Sequence, residues 1–297
     1  MCKNGSLVTV VVISYNSSST VIETLDSVKE QTYKNIELII TDDGSSDDTV
    51  EICKNWLNLN GNFFSNCQII TVANNTGIPA NCNRALYASK GKWIKIIAAD
   101  DTLKKECIEI NIKYVTNNSE VEILQTNADM YLDILKEDNL RGTLPVNFKE
   151  FFEIKEGKEQ YKFLKNIGYG LCTPAMFIKK AIIEKVGGFD ERFKLMEDLP
   201  LWFNLTKAGK RIYYHPVSTV NYRAHDNSVT RAGKKYGDAI FLKDALFFLQ
   251  IYFDKDEKNF KIKKSMFQLR CLIYLDEYGF NNKSKLSRLL YAAVNRI

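Results

Sequence analysis

Four short apolar runs, at residues 7–14, 36–41, 69–73 and 93–98, alternate with stretches of helical periodicity, and that alternation limits the fold more than any other feature. A strand with one wet face alternates apolar and polar residues. These runs are nearly continuous and rich in valine and isoleucine, so both faces of their sheet must be covered. The intervening segments supply the cover: residues 20–31 place Val21, Leu25 and Val28 on one stripe, and residues 49–59 do the same with Val50, Cys53, Trp56 and Leu57. Residues 80–89 form a third helical segment between the last two runs. The pattern predicts an α/β fold with a mostly parallel sheet flanked by helices.

Beyond residue 101 the rhythm is looser. The spacing predicts a helix over 103–115, strands over 123–130 and 175–178, and a helix over 181–186 that stops at Gly187-Gly188. A further helix is expected over 199–208, ended by Gly209, then short strands at 212–215 and 217–222, then helix from Tyr236 to the end. Residues 133–165 are polar and fit either an insertion near the site or a pair of surface helices. The expected organisation is a main domain over 1–230 and a helical C-terminal extension over 231–297.

Charge separates the same two parts. Residues 231–297 hold 14 Lys/Arg against 7 Asp/Glu, whereas the first 230 hold 27 against 29. Aromatic residues such as Phe241, Phe248, Phe260, Phe267 and Tyr274 are interleaved with that basic charge. A helical cap packing its aromatics inward explains the pattern, and so does peripheral contact with anionic lipid. No nucleic-acid module is visible, so nucleic acid is not an expected partner. The seven scattered cysteines form no C-x-x-C pair, which argues for a reducing compartment and against a zinc site. No cleavage site follows the first apolar run and no run reaches membrane-spanning length, so a cytoplasmic protein is expected, peripheral at most on the inner face of the membrane.

Chemistry concentrates at the ends of the predicted strands. The second and fourth runs end in acidic pairs, Asp42-Asp43 and Asp100-Asp101, and the first ends in Ser14-Tyr15-Asn16. Carboxyl ends of parallel strands form the rim where open α/β sheets bind ligands. There, one carboxylate can hold a sugar hydroxyl or a base N–H and its neighbour a divalent metal on a diphosphate. Tyr15 can stack on a base, and Asn16 can fix its turn. Helix capping accounts well for Asp47 and Asp48, and Asp101 or Thr102 could cap the next helix in the same way. It accounts poorly for Asp43, because adjacent carboxylates repel unless something binds them.

The ordered series V-V-I-S-Y-N, D-D-G-S-S-D-D-T, N-T-G at 75–77, G-K-W-I-K-I-I-A-A-D-D, V-G-G-F-D-E at 186–191, E-D-L-P-L-W at 197–202 and Y-R-A-H-D-N-S at 222–228 resembles the family 2 inverting glycosyltransferases. The resemblance covers residues 7–230 and implies a GT-A fold. It implies a nucleotide-sugar donor, UDP-linked, and a glycan acceptor, which the basic aromatic tail suggests is held at the membrane on a polyprenyl diphosphate, as in surface-polysaccharide assembly. It places Ser14, Tyr15, Asn16, Asp43 and Asp100 on the donor, Asp101 on Mn²⁺ or Mg²⁺ with His225 as a second metal contact, and Asp198 as the catalytic base. Chemical logic agrees: a cation offsets the charge of a departing diphosphate, and a carboxylate makes the acceptor hydroxyl a competent nucleophile.

Two departures stand out. Cys82 occupies a position where relatives often carry arginine, leaving Asn83 or Arg84 to serve, and Ala98-Ala99 precede the second pair where relatives often have an acidic or serine residue. A sugar nucleotidyltransferase is the alternative enzyme class, but Ser17-Ser18-Ser19 offers no glycine-rich basic phosphate loop. An inactive glycan-binding or scaffold protein would not need both acidic pairs. A dehydrogenase would need a G-x-G-x-x-G after the first strand.

Overall fold

The computed structural model describes residues 5–167, 170–225, 238–253, 260–282 and 284–296. Ser228 of the last motif and Tyr236, where the tail helix was expected to start, lie outside the described residues. The chain divides into two compact units, residues 1–190 with 198–224 and residues 191–197 with 225–297.

The first unit is built on one sheet. Its parallel part comprises β1 (Val8–Ser14), β2 (Ile36–Asp42), β3 (Asn66–Thr71) and β4 (Trp93–Ala98), ordered β3-β2-β1-β4. The sheet continues past β4 with β8 (Met176–Lys179), β6 (Ile123–Leu132), β9 (Tyr213–Ala224) and β5 (Thr102–Leu103), while β7 (Leu140–Leu144) pairs with β6. Around it lie α1 (Val21–Lys29), α2 (Thr49–Asn60), α3 (Ile78–Ala88), α4 (Cys107–Asn117), α5 (Lys149–Glu153), α6 (Gly157–Ile167), α7 (Lys180–Lys185) and α8 (Asp198–Lys207). As the apolar runs require, every residue of β2 is buried and Val8, Val10, Val11 and Val12 of β1 are fully so. Trp93 stacks on Phe177 across β4 and β8, with ring centroids 5.0 Å apart.

Three departures from the sequence expectations have local causes. Residues 102–103 do not open a helix: Thr102 pairs with Asn221 and Leu103 with Val220, so α4 starts only at Cys107 and neither Asp101 nor Thr102 caps it. The two short strands at 212–222 are one, β9, whose register against β6 slips where Pro216 offers no amide to the ladder. The third strand begins earlier than expected because β3 is the edge strand and only partly buried, which weakens its pattern. Residues 133–165 contain β7, α5 and α6, and Phe148, Phe151, Phe152 and Leu164 are buried there.

The second unit is helical, with α9 (Ala239–Phe253), α10 (Phe260–Glu277) and α11 (Lys285–Arg296). Asp244 of α9 accepts the backbone amides of Lys194 and Leu195, fixing the 191–197 segment to that helix. Leu275, Tyr291 and Val294 form a small core between α10 and α11. Among the described residues, no helix is long and apolar enough to cross a membrane.

Candidate active site

Chain order runs outward from β1 through β2 to β3, then returns to the other side of β1 for β4. That reversal opens a crevice beyond the carboxyl ends of β1 and β4. The loops there are Ser14-Tyr15-Asn16 and Ala99-Asp100-Asp101, with Asp42-Asp43 one strand away.

The first two loops are stitched together. Asn16, held at φ 49°, accepts the Ser46 amide on its side-chain oxygen at 2.8 Å, and its own amide donates to Ser45 Oγ at 2.7 Å. The Ser18 amide donates to Asp47, which also accepts the Thr49 amide and hydroxyl. Desolvation opposes ionisation of Asp47, yet these bonds hold its carboxyl down at about 2. Tyr15 is left half exposed at the rim, able to present its ring to a ligand.

Protein donors resolve the repulsion expected of the first acidic pair. Asp42 accepts the Gly44 and Ser45 amides and the Ser45 and Ser14 hydroxyls. Asp43 accepts the Thr76 hydroxyl and Arg84 Nη2 on one oxygen, at 2.6 Å each, and the Thr76 and Gly77 amides on the other at 3.0 and 2.8 Å. Burial works against that charge, but these bonds hold the carboxyl below its ordinary range. Four donors fill the lone-pair positions a carboxylate offers, so a base N–H reaches Asp43 only by displacing one. Arg84, one of the two residues expected to serve in place of Cys82, is ion-paired with Asp43, and Cys82 itself is buried.

The second pair is built differently. Thr24 Oγ1 donates to the Asp101 carbonyl, and Thr20 Oγ1 to that of Ala99, holding this loop against α1. From β9, the Arg223 amide donates to Asp101 Oδ1 at 2.8 Å and its Nε to the Asp100 carbonyl at 2.8 Å. The same guanidinium reaches the Asp133 carbonyl and Glu23. Asp101 is 1 % exposed, and its Oδ2 has no hydrogen-bond partner. Burial first, and the Asp100 charge second, push its carboxyl well above the usual range.

Lys95, missed in the sequence reading, faces this region from inside β4. It is fully buried, and its Nζ has no partner of normal hydrogen-bond geometry. Burial lowers its pKa, while Cys107, Cys172 and Asp101 pull it back up. The signal was a lysine in an otherwise apolar, fully covered strand, a position that charged residues rarely take.

Asp198 opens α8 and accepts the Thr173 hydroxyl at 2.9 Å. Tyr222 links it to the acidic pair. Desolvation, then the charges of Asp101, Asp100 and Asp198, push that phenol up to about 12. Burial raises the Cys172 thiol to about 12 as well, with Asp101 and Asp198 contributing. Asp101 and Asp198 thus act electrostatically on both Tyr222 and Cys172, and Asp100 on Tyr222. His225 opens the longer stretch of the second unit, residues 225–297. His215 is away from this chemistry: it stacks on Tyr114 at 4.8 Å, and burial lowers its pKa.

Among the described residues no three metal-binding side chains cluster. Asp101 offers one carboxylate oxygen lacking a partner, which suits a hard divalent ion taking its remaining ligands from diphosphate oxygens and water.

Comparison with known proteins agrees with this architecture. Residues 9–187 match the family model described as Glycosyl transferase family 2. An uncharacterized glycosyltransferase of Rickettsia typhi is 28% identical over 233 residues, which is 75% of this chain; the chain spans 66% of that protein's length. The Escherichia coli UDP-Glc:alpha-D-GlcNAc-diphosphoundecaprenol beta-1,3-glucosyltransferase WfaP is 28% identical over 228 residues, 75% of this chain and 80% of WfaP. Among solved structures, Staphylococcus aureus TarS 1-349 in complex with UDP-GlcNAc superimposes with a TM-score of 0.61 at 16% identity, covering 97% of this chain and 79% of TarS. That likeness establishes the GT-A fold.

Proposed function

The chain belongs to glycosyl transferase family 2, and from that premise we propose that it moves one sugar, with inversion, from a UDP-linked donor to a hydroxyl of a glycan acceptor. The acceptor is proposed to be carried on a polyprenyl diphosphate at the membrane, as the name of the relative WfaP describes for that enzyme. Surface-polysaccharide assembly is the setting that suits such a substrate. The observation that carries the reading is the placing of acidic pairs at the carboxyl ends of β2 and β4, with Asp101 buried and its Oδ2 lacking a partner.

The roles follow from position. The loop Ser14-Tyr15-Asn16 and the Asp43–Arg84 floor flank the base, with Tyr15 presenting its exposed ring for stacking. Asp100 borders the ribose and diphosphate. Asp101 would hold Mn²⁺ or Mg²⁺, which when bound supplies positive charge against the departing diphosphate. Asp198, oriented by Thr173, takes the proton of the acceptor hydroxyl as its oxygen bonds to the anomeric carbon. The bond from that carbon to the diphosphate breaks on the opposite face, so the configuration inverts and UDP leaves.

The test is thermal stabilisation by candidate nucleotide sugars, with and without Mn²⁺, paired with transfer assays on Asp198→Asn. A ligand that binds only the native state raises the melting temperature. Asp198→Asn should keep metal-dependent donor stabilisation and lose transfer by at least about a hundredfold, since a misplaced or absent base removes about 10²–10⁴ in rate. Full turnover in that variant overturns the assignment of the base.

A further inference from the structure

The outer face of α10 carries a pattern that the fold does not require. Phe260, Phe267 and Tyr274 stand seven residues apart, which on an α-helix places them nearly in line. They are 77%, 50% and 55% exposed. Tyr278, 64% exposed, follows just beyond the helix and stacks on Tyr274 with centroids 4.2 Å apart. Lys263, Lys264 and Arg270 are exposed on either side of the same line. The opposite face already supplies a packing surface in Ile262, Leu269, Leu272 and Ile273. One apolar face is enough to bury a helix, so the aromatic line is a second one.

α11 presents a matching surface. Leu286 and Leu289 are 55% and 70% exposed, and the exposed Ala293 continues their side of the helix. Between the two helices lies a cavity of about 440 Å³, lined by Cys271, Tyr274, Leu275, Leu290, Ala293 and Val294 with Arg270. The charge is one-sided: residues 260–297 contain eight Lys/Arg and two Asp/Glu.

We infer that α10 and α11 form a surface that lies in the headgroup region of an anionic bilayer, with Phe260, Phe267, Tyr274 and Leu289 entering the acyl boundary. Charge complementarity selects this occupant. A basic, aromatic face suits anionic lipid, where apolar burial and attraction act together. Neither helix spans, so the contact is peripheral. The inference gives the proposed membrane-borne acceptor a docking surface and rests on that reading only for its purpose.

The experiment is flotation of the full chain with vesicles of phosphatidylcholine alone or with about 30 mol% phosphatidylglycerol, for contrast in charge, in low and high salt. Expected is binding to the anionic vesicles at least about tenfold stronger than to neutral ones, weakened by salt. The pair Phe267→Ser with Leu289→Ser, and separately Lys263→Gln with Lys264→Gln, should each lower binding at least about tenfold. A tryptophan introduced by Phe267→Trp should be quenched by brominated lipid, because the native tryptophans are buried in the first unit. Equal binding to both vesicle types, or binding indifferent to Phe267 and Leu289, overturns the inference. So does self-association through these residues without vesicle binding, which would assign the face to a second copy. Transfer to a detergent-soluble acceptor should be unchanged in all five substitutions, so failure here is separable from failure of the proposed activity.

Discussion

Replacing Asp43 by Asn tests whether the first acidic pair is a built part of the site. The carboxylate accepts four hydrogen bonds, one of them within an ion pair whose members are 4% and 21% exposed on the Asp43 and Arg84 sides. An amide oxygen can keep two of these, while its NH₂ group meets two donors. Breaking one side of a mostly buried pair costs about 3–5 kcal/mol. Asp43→Asn should therefore lose about 4 kcal/mol, and Arg84→Met, whose partner keeps three donors, about 2 kcal/mol. The double variant should lose little more than Asp43→Asn alone, leaving a coupling of about 2 kcal/mol. Urea unfolding followed by tryptophan fluorescence reads the relevant unit, because Trp56, Trp93 and Trp202 all lie buried in it. The folded carboxyl titrates below its unfolded value. Its stabilisation is thus full above the ordinary carboxylate range, near pH 4, and fades as pH falls through the lower folded value. The gap between wild type and Asp43→Asn should be flat from about pH 5 to 8 and narrow below about pH 4. Coupling under about 0.5 kcal/mol would refute the reasoning.

Two further substitutions probe neighbouring contacts. Thr173→Val removes the 2.9 Å hydrogen bond to Asp198 and should lower kcat about fivefold with little change in donor KM, as expected for about 1 kcal/mol of lost orientation; a rise in KM alone would contradict it. Gly44→Ala meets a φ of +79° and a Cβ only 2.8 Å from the Asn74 carbonyl carbon. It should cost about 2–4 kcal/mol in urea unfolding and weaken donor stabilisation by shifting the turn that carries Thr76 and Gly77, whereas an unperturbed midpoint would show that the turn yields freely.

Much of the first unit could be read before its structure. The four apolar runs gave the parallel strands because continuous burial leaves a plain signature, and β4 falls on residues 93–98 as expected. The rim positions of Ser14, Asp43 and Asp101 followed from strand ends alone. What stayed hidden depends on partners distant in sequence. Thr102 and Leu103 become a strand only because Asn221 and Val220 return to them. Arg223 carries no local mark of its role, since it is defined by the carboxylate and carbonyls it meets. Lys95 was legible as an anomaly, a cation in a covered strand, but its neighbours Cys107, Cys172 and Asp101 come from three other segments. The polar stretch at 133–165 hid its packing because only four anchors, Phe148, Phe151, Phe152 and Leu164, hold it amid polar residues.

The bond from the Arg223 amide to Asp101 joins positions 122 residues apart. The region matched by the family model ends at residue 187, well before that amide and before Asp198. A truncated version stopping there would retain both aspartate doublets yet leave Asp101 without its β9 donor and the proposed proton acceptor missing altogether. Shortening this protein for crystallography or engineering must therefore keep the chain at least through Ala224, the end of its last strand.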